Sequence, residues 1–224
     1  MSSVGIMKRL SLLATALILA GCSSGSPTGT PATTVTSAGA AGPASTMSSP
    51  TDGSGVPAGD TQAPVPAEKN PPGDIPDNIA FVAYTNTAGR YRFTHPEGWA
   101  EKTENTTVTF TDKLNGVQAM VGTATTPPTV DTAKQQDVAA LRASQAAFEL
   151  RGVNAVTLPA GKGVRIVYRR NSAPDPVTGR QYRDEVERYE LVSGTREVIV
   201  ELFGPVGADN VDAYKTMITS LRLL

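Results

Sequence analysis

Every Phe, Tyr and Trp of the 224-residue chain lies at or after Phe81, whereas ten of its 17 prolines fall between Cys22 and Asn78. That division constrains the fold more than any motif does. Fixing a residue costs on the order of 1–2 kcal/mol of backbone entropy, and the stretch before residue 79 has too little apolar and aromatic surface to offset it. Residues 79–224 remain as one domain, long enough to enclose a core. The single Cys excludes an intramolecular disulfide and any multi-cysteine metal site. With 20 Lys+Arg against 21 Asp+Glu, the charge balance gives no support to nucleic-acid binding.

Lys8 and Arg9 precede an apolar run from Leu10 to Ala20, a basic stretch and then about eleven apolar residues, too few to span a ~30 Å hydrocarbon core as a helix. This reads as a signal rather than a membrane span. It ends in Leu19-Ala20-Gly21-Cys22, followed by Ser23-Ser24-Gly25, which resembles the lipobox of bacterial lipoproteins. The resemblance implies alkylation of the Cys22 sulfur with diacylglycerol and removal of residues 1–21 as a signal peptide. The chemistry needs a thiol, because the thiolate is the strongest nucleophile among ordinary side chains. Two or more acyl chains anchor stably where one does not, so the implied location is the outer face of the cell membrane. The alternative is a plain secretory signal with a chance cysteine.

Residues 22–78 carry the Cys and then Ser, Thr, Gly, Ala and Pro with few large apolar side chains, and read as a disordered tether. A flexible chain of ~55 residues spans about 40 Å root mean square. Thr30-Pro31-Ala32-Thr33-Thr34 suits O-linked sugar in an actinobacterial envelope, and an unmodified spacer equally well.

From Asn78 onward the pattern alternates. Phe81 and Ala83, then Tyr91 and Phe93, flank the turn Asn86–Gly89, and Val108 and Phe110 are joined to Val117, Ala119 and Val121 by a turn at Leu114-Asn115-Gly116. Residues Thr132 to Leu150 lack Gly and Pro and place Val138, Leu141, Ala147 and Phe148 near one stripe, which predicts a helix ended by Gly152. Four strands follow around Val156–Leu158, Val164–Tyr168, Tyr182–Leu191 and Val198–Leu202, then a last helix over Val211, Tyr214, Ile218 and Leu221, capped by Asp209 or Asn210. The expected class is α+β, a mainly antiparallel sheet flanked by helices.

The run Tyr91-Arg92-Phe93-Thr94-His95-Pro96-Glu97-Gly98-Trp99, set between an opening strand and a charged turn, with a middle helix, a meander and a closing helix through Ser220-Leu221, resembles the PsbP-like (Mog1/PsbP) family over residues 79–224. The order of lipobox, tether and such a domain is similar to actinobacterial lipoproteins of the LpqN type. The resemblance implies an α/β/α sandwich and an extracytoplasmic binding or assembly module, not a catalyst; partners do not transfer with a fold.

A Ser-His-Asp or Cys-His mechanism needs a histidine, and His95 alone exists. Preceding Pro96, it reads as a polar strand-end residue. Asp184, Glu185, Glu187 and Glu190 leave a paired-carboxylate mechanism formally open, yet Arg165, Arg169, Arg170, Arg183 and Arg188 interleave with them, the dress of a solvated sheet face. The functional reading is a charged surface for a partner or an anionic headgroup, with Arg165, Arg169, Arg170, Arg180 and Arg183. Ala160-Gly161-Lys162-Gly163 lacks the first Gly and the final Ser or Thr of a phosphate loop and reads as a hairpin turn. Asp209-Asn210-Val211-Asp212 has too few oxygens for calcium, so no metal or cofactor is expected. Trp99 reads as a buried cap on the sheet or an exposed anchor. Residues Thr123–Pro128 and the Asp175-Pro176 loop are polar and suited to partner contact. The function expected is a lipid-anchored, non-enzymatic accessory protein with a protein partner in the envelope. The alternative is a carrier with a small apolar ligand between sheet and helix.

Overall fold

A computed structural model describes residues 62–71 and 73–224. The expected signal, the lipobox Leu19, Ala20, Gly21 and Cys22, and the tether up to residue 61 lie outside the described residues. Two antiparallel sheets and three helices make up the domain, which is the α+β class expected. The small sheet pairs β1 (Phe81–Asn86) with β2 (Tyr91–Pro96), and β2 with β10 (Arg222–Leu223). The large sheet joins β3 (Ala100–Glu104), β4 (Thr107–Asp112), β5 (Asn115–Val121), β6 (Glu149–Leu158), β7 (Gly161–Asn171), β8 (Arg183–Ser193) and β9 (Arg196–Pro205) in the order β3-β4-β5-β9-β8-β7-β6. Every pairing within both sheets is antiparallel.

Alternation gives the large sheet two apolar faces. On one, Phe110, Val117, Leu191, Val200 and Leu202 pack with Tyr91, Phe93 and Trp99 and with Tyr214, Met217, Ile218 and Leu221 from the last helix, α3 (Val211–Ser220). On the other, Val164, Ile166, Tyr168 and Val186 meet Ala133 of α1 (Val130–Gln135), Val138 and Leu141 of α2 (Asp137–Ser144), and Phe148. These two short helices cover the β6–β7 side of that face.

The single helix expected over 132–150 is interrupted and ends early. Gln136 (φ −108°, ψ −61°) separates α1 from α2, Gln145 is extended, and Ala147 takes φ 51°, outside the helical region. Tertiary contacts hold that exit: the Phe148 ring packs 5.3 Å from the Tyr168 ring, Arg183 Nη1 donates to the Ala147 carbonyl at 2.7 Å, and Glu149 enters β6 opposite Arg169. Gly152, expected as the helix terminator, sits at a register shift inside β6. Asn115-Gly116 likewise does not form the turn, which falls at Lys113 (φ 51°) and Leu114. Gly116 serves close approach instead, since a Cβ there would stand 2.1 Å from the Phe203 ring. The Gly161 hairpin between β6 and β7 forms where the sequence places it.

Residues 62–71 and 73–78, read as the end of the tether, lie against the domain. Asn171 Nδ2 donates to the Ala63 carbonyl at 2.8 Å and its Oδ1 accepts from Val65 N–H at 3.0 Å. Asn115 Nδ2 donates to the Gly73 carbonyl, and Asn210 Oδ1 accepts from Ile75 N–H at 2.8 Å. The Ile75 side chain is only 5% exposed, in the core under α3. Asn210 begins α3 without capping it by its side chain, which is committed to this strap.

Candidate functional site

Between α2 and the β3 edge, no helix among the described residues roofs the face of the large sheet that carries Val186. Register brings Arg188 beside Glu201, Glu190 beside Ile199, Val186 beside Phe203, and Asp184 beside Pro205 across β8 and β9. Met120 and Gln118 extend the strip onto β5, opposite Ile199 and Glu201. Met120, Gln118, Ile199 and Phe203 are half-buried, so apolar and charged side chains share one accessible strip.

Its polar groups are held in place. Arg188 Nε donates to Glu190 Oε1 at 2.6 Å and its Nη1 to Glu201 Oε1 at 2.8 Å, where the Tyr168 hydroxyl also donates at 3.2 Å. Arg170 lies 3.7 Å from Glu201, donates to Gln145 Oε1 at 2.9 Å, and stacks 5.4 Å above the Phe203 ring. Burial depresses the Arg188 guanidinium, but Glu201 and Glu190 together outweigh it and raise its pKa. Burial likewise raises Glu190 against the pull of Arg188. Charges so paired and hydrogen-bonded stay fixed in position, which favours specificity and orientation more than raw stability.

Asp184 differs from its neighbours. It is 4% exposed, accepts no hydrogen bond among the described residues, and has Arg170 Nε at 3.9 Å. Desolvation pushes its carboxyl from 3.8 to about 7, with Arg170 and Arg183 opposing.

The two loops singled out for partner contact rim this strip. Residues 122–128 edge a cleft of about 550 Å³ with Arg188, Glu190, Glu197 and Ile199 in its floor and wall. Glu197 pins that loop, its carbonyl accepting from Gly122 N–H at 3.2 Å and Oε2 from Ala124 N–H at 2.9 Å. A Cβ on Gly122 would come 1.9 Å from that Oε2. At the other end, the loop through Pro174 and Pro176 edges a cleft of about 480 Å³ with Leu114, Tyr182, Asp184 and Phe203. Asp175 Oδ1 stiffens this loop by accepting from Val177 N–H and from the backbone and hydroxyl of Thr178.

The arginines expected to form one surface do not gather. Arg170 lies on the strip, whereas Arg165 and Arg169 project from the opposite face and pair with Glu187 and Glu185, each at about 3 Å through Nε. Arg180 is exposed in the loop, 4.9 Å above the Tyr182 ring and bonded to Glu68 of the strap. Arg183 is 5% exposed and bound to the Ala147 carbonyl and to Glu149 at 3.0 Å. Trp99, 7% exposed, is the buried cap and not an exposed anchor. The four carboxylates of β8 divide the same way, Asp184 and Glu190 on the strip and Glu185 and Glu187 behind it. His95 stacks on Phe110 at 3.6 Å, its Nδ1 lies 2.9 Å from the Pro96 carbonyl, and burial lowers its pKa.

Sequence reading missed Arg188, Glu197 and Glu201 as a unit. The available signal was period two: Val186, Arg188 and Glu190 on β8, and Glu197, Ile199, Glu201 and Phe203 on β9, each define one side of a strand.

No family model matches the chain, and no match was found among curated proteins. Solved structures do match. The Ran-binding protein Mog1p of Saccharomyces cerevisiae is similar at 8% identity over 65% of this chain and 96% of its own, with a TM-score of 0.42. Cyanobacterial PsbP (CyanoP) of Synechocystis sp. PCC 6803 is similar at 14% identity over 65% and 94%, also at 0.42. LpqN, described as involved in cell envelope biogenesis of Mycobacterium tuberculosis, is similar at 12% over 66% and 92%, at 0.40. At identities of 8–14% none of their roles passes to this chain.

Proposed function

We propose that the chain is a lipid-anchored, extracytoplasmic, non-enzymatic accessory protein that binds a protein partner through the open strip of the large sheet. One observation carries the reading: the 122–128 and 172–182 loops flank the one strip where half-buried Met120, Ile199 and Phe203 lie among fixed charges. Mixed apolar and preorganised polar surface is what partner recognition uses. Attachment through Cys22 rests on the lipobox, and among the described residues no helix is long and apolar enough to cross a membrane. The envelope role is part of the same proposal and agrees with the printed description of LpqN.

The carrier alternative gains no support. The spaces between sheet and helices are filled by Tyr214, Met217 and Ile218 on one side and by Val138, Leu141 and Phe148 on the other.

The test is capture from detergent-solubilised membranes with the full chain, beside Met120→Glu and Ile199→Glu, whose folding is checked by thermal unfolding. The expected result is a partner recovered repeatedly with the unaltered chain and lost with both variants. No recurrent partner, or one retained by both folded variants, refutes the proposal. Cys22→Ala separately tests the anchor: the expected product is uncleaved or released from membranes, and a normally acylated, membrane-bound product refutes it.

A further inference from the structure

The outer edge of β6 ends the seven-stranded order, and among the described residues no backbone group pairs with it. An open edge is a template for another strand, and proteins blunt such edges with charge, proline or covering segments. The opposite edge is blunted in that way: β3 is exposed throughout and carries Glu101, Lys102 and Glu104. β6 is not. From Gly152 to Leu158 it contains neither charge nor proline.

Both apolar cores run out at this strand. Leu150 and Val153 sit partly buried against the cluster beneath α1 and α2, and Val156 and Leu158 against the cluster beneath α3. Register places Val153, Ala155 and Thr157 on one face, opposite Ile166, Val164 and Lys162, and Gly152, Asn154, Val156 and Leu158 on the other. An added strand would extend both cores together.

We propose that this edge pairs with β6 of a second copy of the chain, antiparallel, joining the two large sheets. The sequence of the edge is self-complementary. Pairing centred on Ala155 sets Val153 opposite Thr157 and Asn154 opposite Val156, with no charged residue facing another. The register shift between Leu150 and Gly152 bends the strand and keeps Glu149 and Arg151 outside the paired run. Antiparallel self-pairing is two-fold symmetric and closes at a dimer. Its axis stands perpendicular to the joined sheet, so both open strips face the same way and remain free. The dimer would thus present two copies of the proposed partner site, and it stands or falls independently of that proposal. Backbone pairing over this run is a small contact beside the ~1,200 Å² that stable interfaces bury, so the dimer is reversible and concentration-dependent.

The experiment is sedimentation equilibrium of the full chain in density-matched detergent, with Ala155→Lys, Ala155→Glu and their mixture. Ala155 is exposed, so neither substitution disturbs the core. The unaltered chain is expected to dimerise reversibly. Each variant alone sets like charges face to face and should weaken dimerisation by about tenfold or more, and the mixture should restore a mixed dimer. A chain that stays monomeric to about 1 mM, whether because the edge is bare or because it takes an extended segment of another protein, overturns the proposal. So does a dimer that both variants leave unchanged.

Discussion

Asp184→Asn should change how stability depends on pH, and the size follows from where the side chain sits. The carboxyl is 4% exposed on β8, accepts no hydrogen bond among the described residues, and has only Arg170, at 3.9 Å, to offset the loss of water on that face. Desolvation moves its pKa from 3.8 to about 7, against the pull of Arg170 and Arg183. An acid whose pKa is higher folded than unfolded binds more protons in the folded state between those values. Stability therefore falls as pH rises through that window, and the loss is complete above the folded value. A shift of about three units at ~1.4 kcal/mol each sets an upper limit of about 4 kcal/mol. Local relaxation and water entry reduce this, so about 2–4 kcal/mol is expected.

Asparagine approximates the protonated acid in shape and removes the ionisation. Urea unfolding of the unaltered chain and of Asp184→Asn, at pH 5 and pH 8, isolates the effect. The gain of the variant at pH 8 minus its gain at pH 5 should be about 1–2.5 kcal/mol, because more than a third of the full loss already falls below pH 5. His95, lowered by burial, and Glu190, raised by it, also titrate with folding. They do so in both proteins and cancel in the difference. Parallel stability curves, with equal spacing at the two pH values, would show that Asp184 keeps its water or a stronger cation and would refute the reasoning.

Four further substitutions probe the frame around the strip. Gly163→Ala places a Cβ 1.8 Å from the Glu190 carbonyl oxygen, so β7 and β8 must part, and a loss of more than about 3 kcal/mol in chemical denaturation is expected. Ile75→Ala should cost about 2–4 kcal/mol, as for a buried aliphatic side chain; a cost near zero would mean that the strap does not hold to the domain in solution. Arg183→Ala should cost about 2–4 kcal/mol by stranding the Ala147 carbonyl and Glu149. Arg180→Ala, exposed and paired only at the surface, should stay within about 1 kcal/mol by the same assay.

How much of this was legible turns on the range of the interactions involved. Alternation along Phe81–Phe93, Val108–Val121 and the β7–β9 meander exposes the strands directly, because which residues face the core is a local property of a pleated chain. The same local signal was present for the open strip, in the period-two placement of Arg188 and Glu190 against Glu197 and Glu201. β8 carries charge on both of its faces, however, so a run of alternating Arg and Glu does not by itself show that Arg188 lies on the strip while Arg165 and Arg169 of β7 go to the opposite side. The helix over 132–150 failed for another reason. Nothing in Gln145–Leu150 forbids helix, and the exit is imposed by Phe148 on Tyr168, by Arg183 on the Ala147 carbonyl and by the pairing of Glu149 with Arg169, partners 20 to 36 residues away. The strap is the extreme case: Gly73 and Ile75 look like spacer because their partners, Asn115 and Asn210, lie 42 and 135 residues further on. Local periodicity thus located the surface that could bind, while the contacts that shape its rim and fix the start of the domain belong to residues that only folding brings together.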